Sequence, residues 1–95
     1  MLENGTADGA ANDVSRQAFL RQHVREVWLA RERGGADVRS YIHWSLFDNF
    51  EWADGFDARF GLVAVDYEND FKRTPRPSAK VFADIARGNA LPVAP

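Results

Sequence analysis

The sequence predicts an α/β fold in which strands and helices alternate, as they do in a parallel sheet covered by crossover helices. Three observations carry this expectation: a long amphipathic helical stripe, a run of β-forming residues directly after it, and a second helical stripe near the end of the chain. The order is helix, strand, long aromatic loop with a small strand, then helix. That supplies one good strand and a stub. A parallel strand needs neighbours on both sides, so the local pattern describes a part of a larger sheet.

The first helix is expected between Asp13 and Arg33, where Leu20, Val24, Val27, Trp28 and the stem of Arg31 fall at helical spacing with charged residues elsewhere. Asp13 or Ser15 can cap its start, and Gly34-Gly35 can end it in a left-handed turn. Arg31 and Arg33 suit the negative end of its dipole. Residues 1 to 5, before it, are too short to be an element. Val38 to Leu46 then gathers Val, Ile, Tyr, Trp and Leu, which suits a mostly buried strand. From Phe47 to Phe60, Asp48, Asn49, Asp54, Gly55 and Asp57 sit among five aromatics, which reads as a structured loop rather than a linker. Leu62 to Tyr67 alternates well enough for a short strand, and Tyr67 to Arg73 reads as polar connection. Thr74-Pro75-Arg76-Pro77-Ser78 punctuates the chain before the second stripe of Val81, Phe82, Ile85 and Ala86, which Gly88 ends. Residues 89 to 95 are expected to fray.

The totals narrow the function classes. Ninety-five residues, 45% hydrophobic and 13% aromatic, can hold one small core. A net charge of -2 with interleaved signs lacks the basic footprint of a nucleic-acid binder. With no cysteine, disulfides, thiol catalysis and cysteine-based metal sites drop out. Met1 to Ala11 has neither the basic start nor the apolar stretch of a secretory signal. No apolar run approaches the roughly 20 residues of a membrane span. A cytoplasmic protein without membrane association is the expectation.

The chemistry concentrates in Tyr41-Ile42-His43-Trp44-Ser45-Leu46-Phe47-Asp48-Asn49-Phe50-Glu51-Trp52-Ala53-Asp54-Gly55-Phe56, followed by Arg59-Phe60-Gly61-Leu62-Val63 and Val65-Asp66-Tyr67. Arg73-Thr74-Pro75-Arg76-Pro77-Ser78-Ala79 continues the pattern, and Glu3-Asn4-Gly5 and Asp37-Val38-Arg39 precede it. Glu-Asn-Gly alone recurs by chance, but at this distance from the other blocks it is highly specific. Together these blocks resemble the β-glycosidases of glycoside hydrolase family 1 almost residue for residue. Residues 1–95 are therefore read as a partial catalytic domain, a C-terminal fragment of a β-glucosidase-like enzyme.

The resemblance implies a (β/α)8 TIM barrel with its site at the C-terminal ends of the strands. Glu3 would end strand seven and Trp44 strand eight, with residues 13 to 33 the helix between them and residues 78 to 87 the final helix. Retaining members use a nucleophilic carboxylate and a carboxylic acid about 5–5.5 Å apart. Glu3 matches the nucleophile, and Asn4 and Gly5 match the residues that allow a tight turn after it. Without the downstream blocks, Glu3 would read as a solvated residue near a ragged terminus.

A pyranose has an apolar face and a rim of hydroxyls, so its subsite wants an aromatic plane with carboxylate and indole partners. By the resemblance, Trp44 stacks under the sugar and Glu51 accepts from its 4- and 6-hydroxyls. Trp52 donates to the 3-hydroxyl, and Phe60 closes the wall near the hydroxymethyl group. Isolated aromatics such as Trp44 and Phe60 are more often ordinary core. A carboxylate at Glu51 would repel a sugar phosphate, which points to a non-phosphorylated, glucose-type glycone.

His43 should face the opposite side of the strand from Trp44 and pack, and His23 should lie on the helix surface. No metal site and no cofactor are expected. Asp48 and Asn49 are read as bracing the loop, and Arg59 with Asp66 as a structural pair.

The family's acid/base glutamate lies in an Asn-Glu-Pro motif, which does not occur in these residues. The expectation is thus a full-length relative that hydrolyses β-glucosides and, secondarily, β-galactosides, and an isolated chain that does not turn over. Two rivals stand beside it: a non-catalytic carbohydrate-binding remnant, and a small α/β interaction module docking through its aromatic loop. Open strand edges predict a loosely folded chain that self-associates or depends on the missing N-terminal segment of the barrel.

Overall fold

In a computed structural model of the chain, residues 3–91 are described, so the last residues of the expected tail lie outside them. Helix α1 spans Val14–Glu32, a 3-10 turn spans Trp52–Asp54, strands β1 and β2 span Val63–Asp66 and Lys72–Pro75, and helix α2 spans Pro77–Gly88. The two helices pack on each other, and the two strands form an antiparallel pair with Val63 opposite Pro75 and Asp66 opposite Lys72.

Helix α1 ends as its sequence dictates. Gly35 takes φ +68°, and the amides of Gly34 and Ala36 turn back to the Ala30 carbonyl at 3.1 and 3.0 Å. Its start corrects the expected cap. Neither Asp13 nor any other side chain caps α1; the Asp13 carboxylate accepts instead from the Ser78 amide at 3.2 Å, from the Ser78 hydroxyl, and from Arg16 at 2.7 Å. Asp13 thereby serves the first turn of α2, where Pro77 stands at the start and free amides attract a carboxylate. Of the expected α1 stripe Leu20 is buried, while Trp28 stays 47% exposed.

The run from Val38 to Leu46 does not form a named strand, a correction to the expected buried one. Its residues alternate like a strand, with His43 and Ser45 buried and Ile42, Trp44 and Leu46 exposed. Its backbone bonds to Asn4, Phe60, Leu62 and Val63 do not add up to a ladder: the parallel bridges are single ones, Asn4 with His43 and, one residue past the run, Phe47 with Val63. A ladder needs a neighbour along its whole length, and among the described residues neither flank runs alongside Val38 to Leu46 that far. The expected strand from Leu62 appears as β1. The polar connection after Tyr67 instead includes the start of β2, whose residues are all exposed and show no alternation.

Leu20, Leu62 and Val65 are the buried apolar residues among those described, and buried polar groups share the interior with them. Asp48 is the chief of these. It accepts from Arg76 at 2.8 and 3.0 Å, from Arg59 at 3.0 Å, and from the amides of Gly61 and Val65 at 3.0 and 3.2 Å. Arg59 thus pairs with Asp48, not with Asp66 as expected, because a buried carboxylate already held by amides outcompetes an exposed one. Asp66 accepts from the Glu68 amide instead. Asn49 does brace the loop, donating to Ser45 Oγ and the Phe47 carbonyl.

Among the described residues no helix is long and apolar enough to cross a membrane, and no group of three or more His, Asp or Glu side chains is placed to hold a metal ion.

Candidate active site

The Glu3 segment and the Trp44 segment are joined through their backbones. The Trp44 amide donates to the Asn4 carbonyl at 2.9 Å, and the Tyr41 hydroxyl donates to Asn4 Oδ1 at 2.6 Å. Glu3 is therefore one residue from the pairing that also fixes Trp44. Its side chain is exposed and makes no hydrogen bond or ion pair among the described residues. Glycine is needed two positions on, because a Cβ at residue 5 would overlap the Trp44 carbonyl oxygen. The Glu-Asn-Gly motif thus has a physical basis: the chain after Glu3 can lie this close to Trp44 only without a side chain at position 5.

Trp44 and Glu51 meet directly. The indole Nε1–H donates to Glu51 Oε1 at 2.6 Å, so one carboxylate oxygen is held and the other is left for a ligand. A turn closed by the Glu51 amide on the Gly55 carbonyl at 2.7 Å brings Glu51 back toward Trp44. Trp52 opens that turn at φ +46°, a left-handed conformation that an indole-bearing residue adopts at a cost of about 1–3 kcal/mol, and it projects 85% exposed. An indole left this exposed is not held by core packing.

Phe60 reaches the same place by backbone. Its carbonyl accepts the Ser45 amide at 3.1 Å, and the Leu62 amide donates to the Ser45 carbonyl at 2.9 Å. The cis peptide between Trp44 and Ser45 lies at this junction. Trp44, Glu51, Trp52 and Phe60 are accordingly carried by one loop, which Asp48 locks from beneath through Arg59, Arg76 and the amides of Gly61 and Val65. Phe50 and Phe56 of this loop form an edge-to-face chain with Tyr67 and Phe71, with centroid spacings of 5.4, 4.9 and 6.4 Å.

Two buried groups of the frame have shifted titration. Burial would push the Asp48 carboxyl up, but the bonds from Arg76 and Arg59 outweigh it and hold it below the usual carboxylate value. Burial, then the nearby Arg16 charge, lowers His43 to about 4, against smaller opposing pulls from the Phe60 carbonyl and Asp13. His43 lies 5.9 Å from the Phe82 ring, as a packing residue should. His23 stacks on Phe19 along α1 at 3.7 Å.

Sequence reasoning missed Arg16 and Arg76, both buried and both making several bonds to loops around the cradle. The available signals were slight: Arg16 lies one helical turn after Asp13, and Arg76 sits between two prolines.

Comparison with known proteins bears on the family and the fold. The sequence matches the glycosyl hydrolase family 1 pattern over residues 1–91. It is 52% identical over 91 residues to a β-galactosidase of Saccharolobus solfataricus, covering 96% of this chain and 18% of that protein. It is 38% identical over 98 residues to β-glucosidase A of Thermotoga maritima, covering 96% and 22%. Among solved structures, the family 1 β-glucosidase from Thermotoga maritima superposes with a TM-score of 0.90 at 35% identity, covering 97% of this chain and 22% of that one. A β-glucosidase from Pyrococcus furiosus gives 0.86 at 53% identity, covering 95% and 18%. The chain spans about a fifth of the length of these relatives and corresponds to part of a (β/α)8 barrel. On this match the chain belongs to glycosyl hydrolase family 1.

Proposed function

We propose that this chain carries the nucleophile and glycone-binding end of a retaining β-glycosidase site for non-phosphorylated β-glucosides, with β-galactosides as related substrates. The observation that carries the reading is the 2.6 Å bond from the Trp44 indole to Glu51, on a backbone that also pairs with the residue after Glu3. An indole plane with a carboxylate acceptor at its edge matches the apolar face and hydroxyl rim of a pyranose.

In this reading a Glu3 oxygen attacks the anomeric carbon as the glycosidic bond breaks, giving a glycosyl ester that water later hydrolyses. Trp44 lies under the ring, the free oxygen of Glu51 accepts from its 4- and 6-hydroxyls, Trp52 donates to its 3-hydroxyl, and Phe60 walls the hydroxymethyl end. The leaving oxygen needs a proton from a second carboxylic acid, and the Asn-Glu-Pro motif that supplies it in the family does not occur here. The 95-residue chain therefore does not turn over by itself. Incubation of the purified chain with an aryl β-glucoside should release no phenol above the buffer rate; release that Glu3→Ala abolishes would show that the chain is a complete catalyst.

The exposure of Trp44 and Trp52, with Glu51 half-buried between them in sequence, also supports a second reading, a weak sugar-binding surface that works without catalysis. Glucose binding that survives Glu3→Ala unchanged would favour it.

A further inference from the structure

Arg16 is fully buried, yet it belongs neither to the apolar stripe of α1 nor to the sugar cradle. One terminal nitrogen of its guanidinium donates to Asp13 at 2.7 Å. The other lies within bonding distance of three main-chain oxygens: Thr6 at 3.2 Å, Asp8 at 2.8 Å and Arg59 at 2.6 Å. Thr6 and Asp8 are on the segment that leaves Glu3, and Arg59 directly precedes Phe60. The Asp8 amide donates to the same Arg59 carbonyl at 2.9 Å. One planar cation thus holds the chain leaving the expected nucleophile against the chain entering the far wall of the cradle.

A buried guanidinium is a poor source of stability, because desolvation offsets much of what its bonds return. An apolar side chain would fill the same position without that cost. What an apolar side chain cannot do is fix carbonyls from two distant segments in one plane, which suits the rigid fork of arginine and not the point charge of lysine. The base of the fork is itself fixed, since Asp13 ties the start of α1 to Ser78 at the start of α2.

We propose that Arg16 is a positioning residue that sets the register between the segment leaving Glu3 and the Arg59–Phe60 wall of the cradle. The proposal rests on the glycosidase reading only for what the register serves; the register itself is tested without sugar. Residue-resolved amide hydrogen exchange would be measured on the 95-residue chain and on its Arg16→Lys and Arg16→Met variants. The reporters are the Asp8 amide, which bonds to Arg59 across the two segments, and the Trp44 amide, which bonds to Asn4 on the chain leaving Glu3; the references are the amides of Leu62 and Arg76, which bond to Ser45 and Leu62 within the Asp48-held region. Arg16→Lys should lower protection at the reporters relative to the references by about tenfold, the scale of one lost bond from a charged donor. Arg16→Met, where it folds, should lower it at least as far. An equal loss at all four amides, or none, overturns the proposal. So does an Arg16→Lys chain without helical circular dichroism, which would make Arg16 a folding determinant. A selective loss in Arg16→Lys in a chain whose Trp44 signal ignores glucose would leave the register standing and remove the sugar reading.

Discussion

Asp48 shows how a single carboxylate determines where the cradle stands. It is buried, it neutralises the buried Arg76 and the half-buried Arg59, and it fills two amide bonds that the loop would otherwise leave open. Removing it leaves two guanidiniums short of a counter-charge. Asp48→Ala should cost roughly 3–5 kcal/mol, comparable to the whole stability of a small domain, and urea titration should find the variant unfolded or nearly so. Asp48 and His43 also give the chain a two-stage response to acid. The folded His43 pKa of about 4 lies below its ordinary 6.5, so the unfolded chain binds the extra proton and stability falls as pH drops from about 6.5 to 4. Asp48 titrates below its ordinary value, so its contribution persists to lower pH and is lost beneath about 4. Thermal melts across pH 7 to 3 should show both stages, and His43→Phe should flatten the upper one alone. At this scale Glu3, Trp44, Glu51, Trp52 and Phe60 were singled out because their spacing matches a known family pattern. Arg16 and Asp48 were not read as hubs because their partners lie 43 and 28 residues away, a pairing that no local pattern announces.

The helices were readable from periodicity, and their ends from glycine and proline, since these follow from local backbone chemistry. The strands were readable only in part. Val38 to Leu46 has the composition and the alternation of a strand, but a ladder belongs to two segments and only one is written in those residues. Strand β2 escaped because Lys72–Pro75 is exposed throughout, and because its turn places Asp70 and Phe71 at positive φ without a glycine to mark it. The Asp13 carboxylate, read from sequence as a cap for its own helix, instead caps the neighbouring one. Ser78→Ala should therefore cost about 1.5–3 kcal/mol, as a lost bond to a charged acceptor does, and the loss should appear in α2 amide exchange first. Gly5→Ala tests the other junction. The added methyl would displace Trp44 and break its amide bond to Asn4, costing roughly 1–3 kcal/mol and moving the Trp44 fluorescence.

The whole molecule is open for its size. Its accessible surface is 6760 Å², against roughly 5,500 Å² for a compact monomer of this mass, and its radius of gyration is 14.2 Å against roughly 12 Å. Trp52, Phe71, Leu46 and Phe50 are among the large apolar side chains left in solvent. A chain with this surface should self-associate in a concentration-dependent way, visible as rising weight-average mass in sedimentation, with weak and uneven amide protection. A monomer with uniformly strong protection would contradict that expectation. The incomplete sheet was legible in the sequence as an alternation with too few strands, and the matched relatives, about five times longer, agree with it.

The most direct test of the account is a glucose titration of the 95-residue chain followed by NMR at the Glu3 carboxyl and the indole N–H groups of Trp44 and Trp52. Signals from all three residues should shift together along one binding curve, as groups around one ring must. A Glu3 signal that stays still while the indoles respond, or three signals that all ignore the sugar, would contradict it.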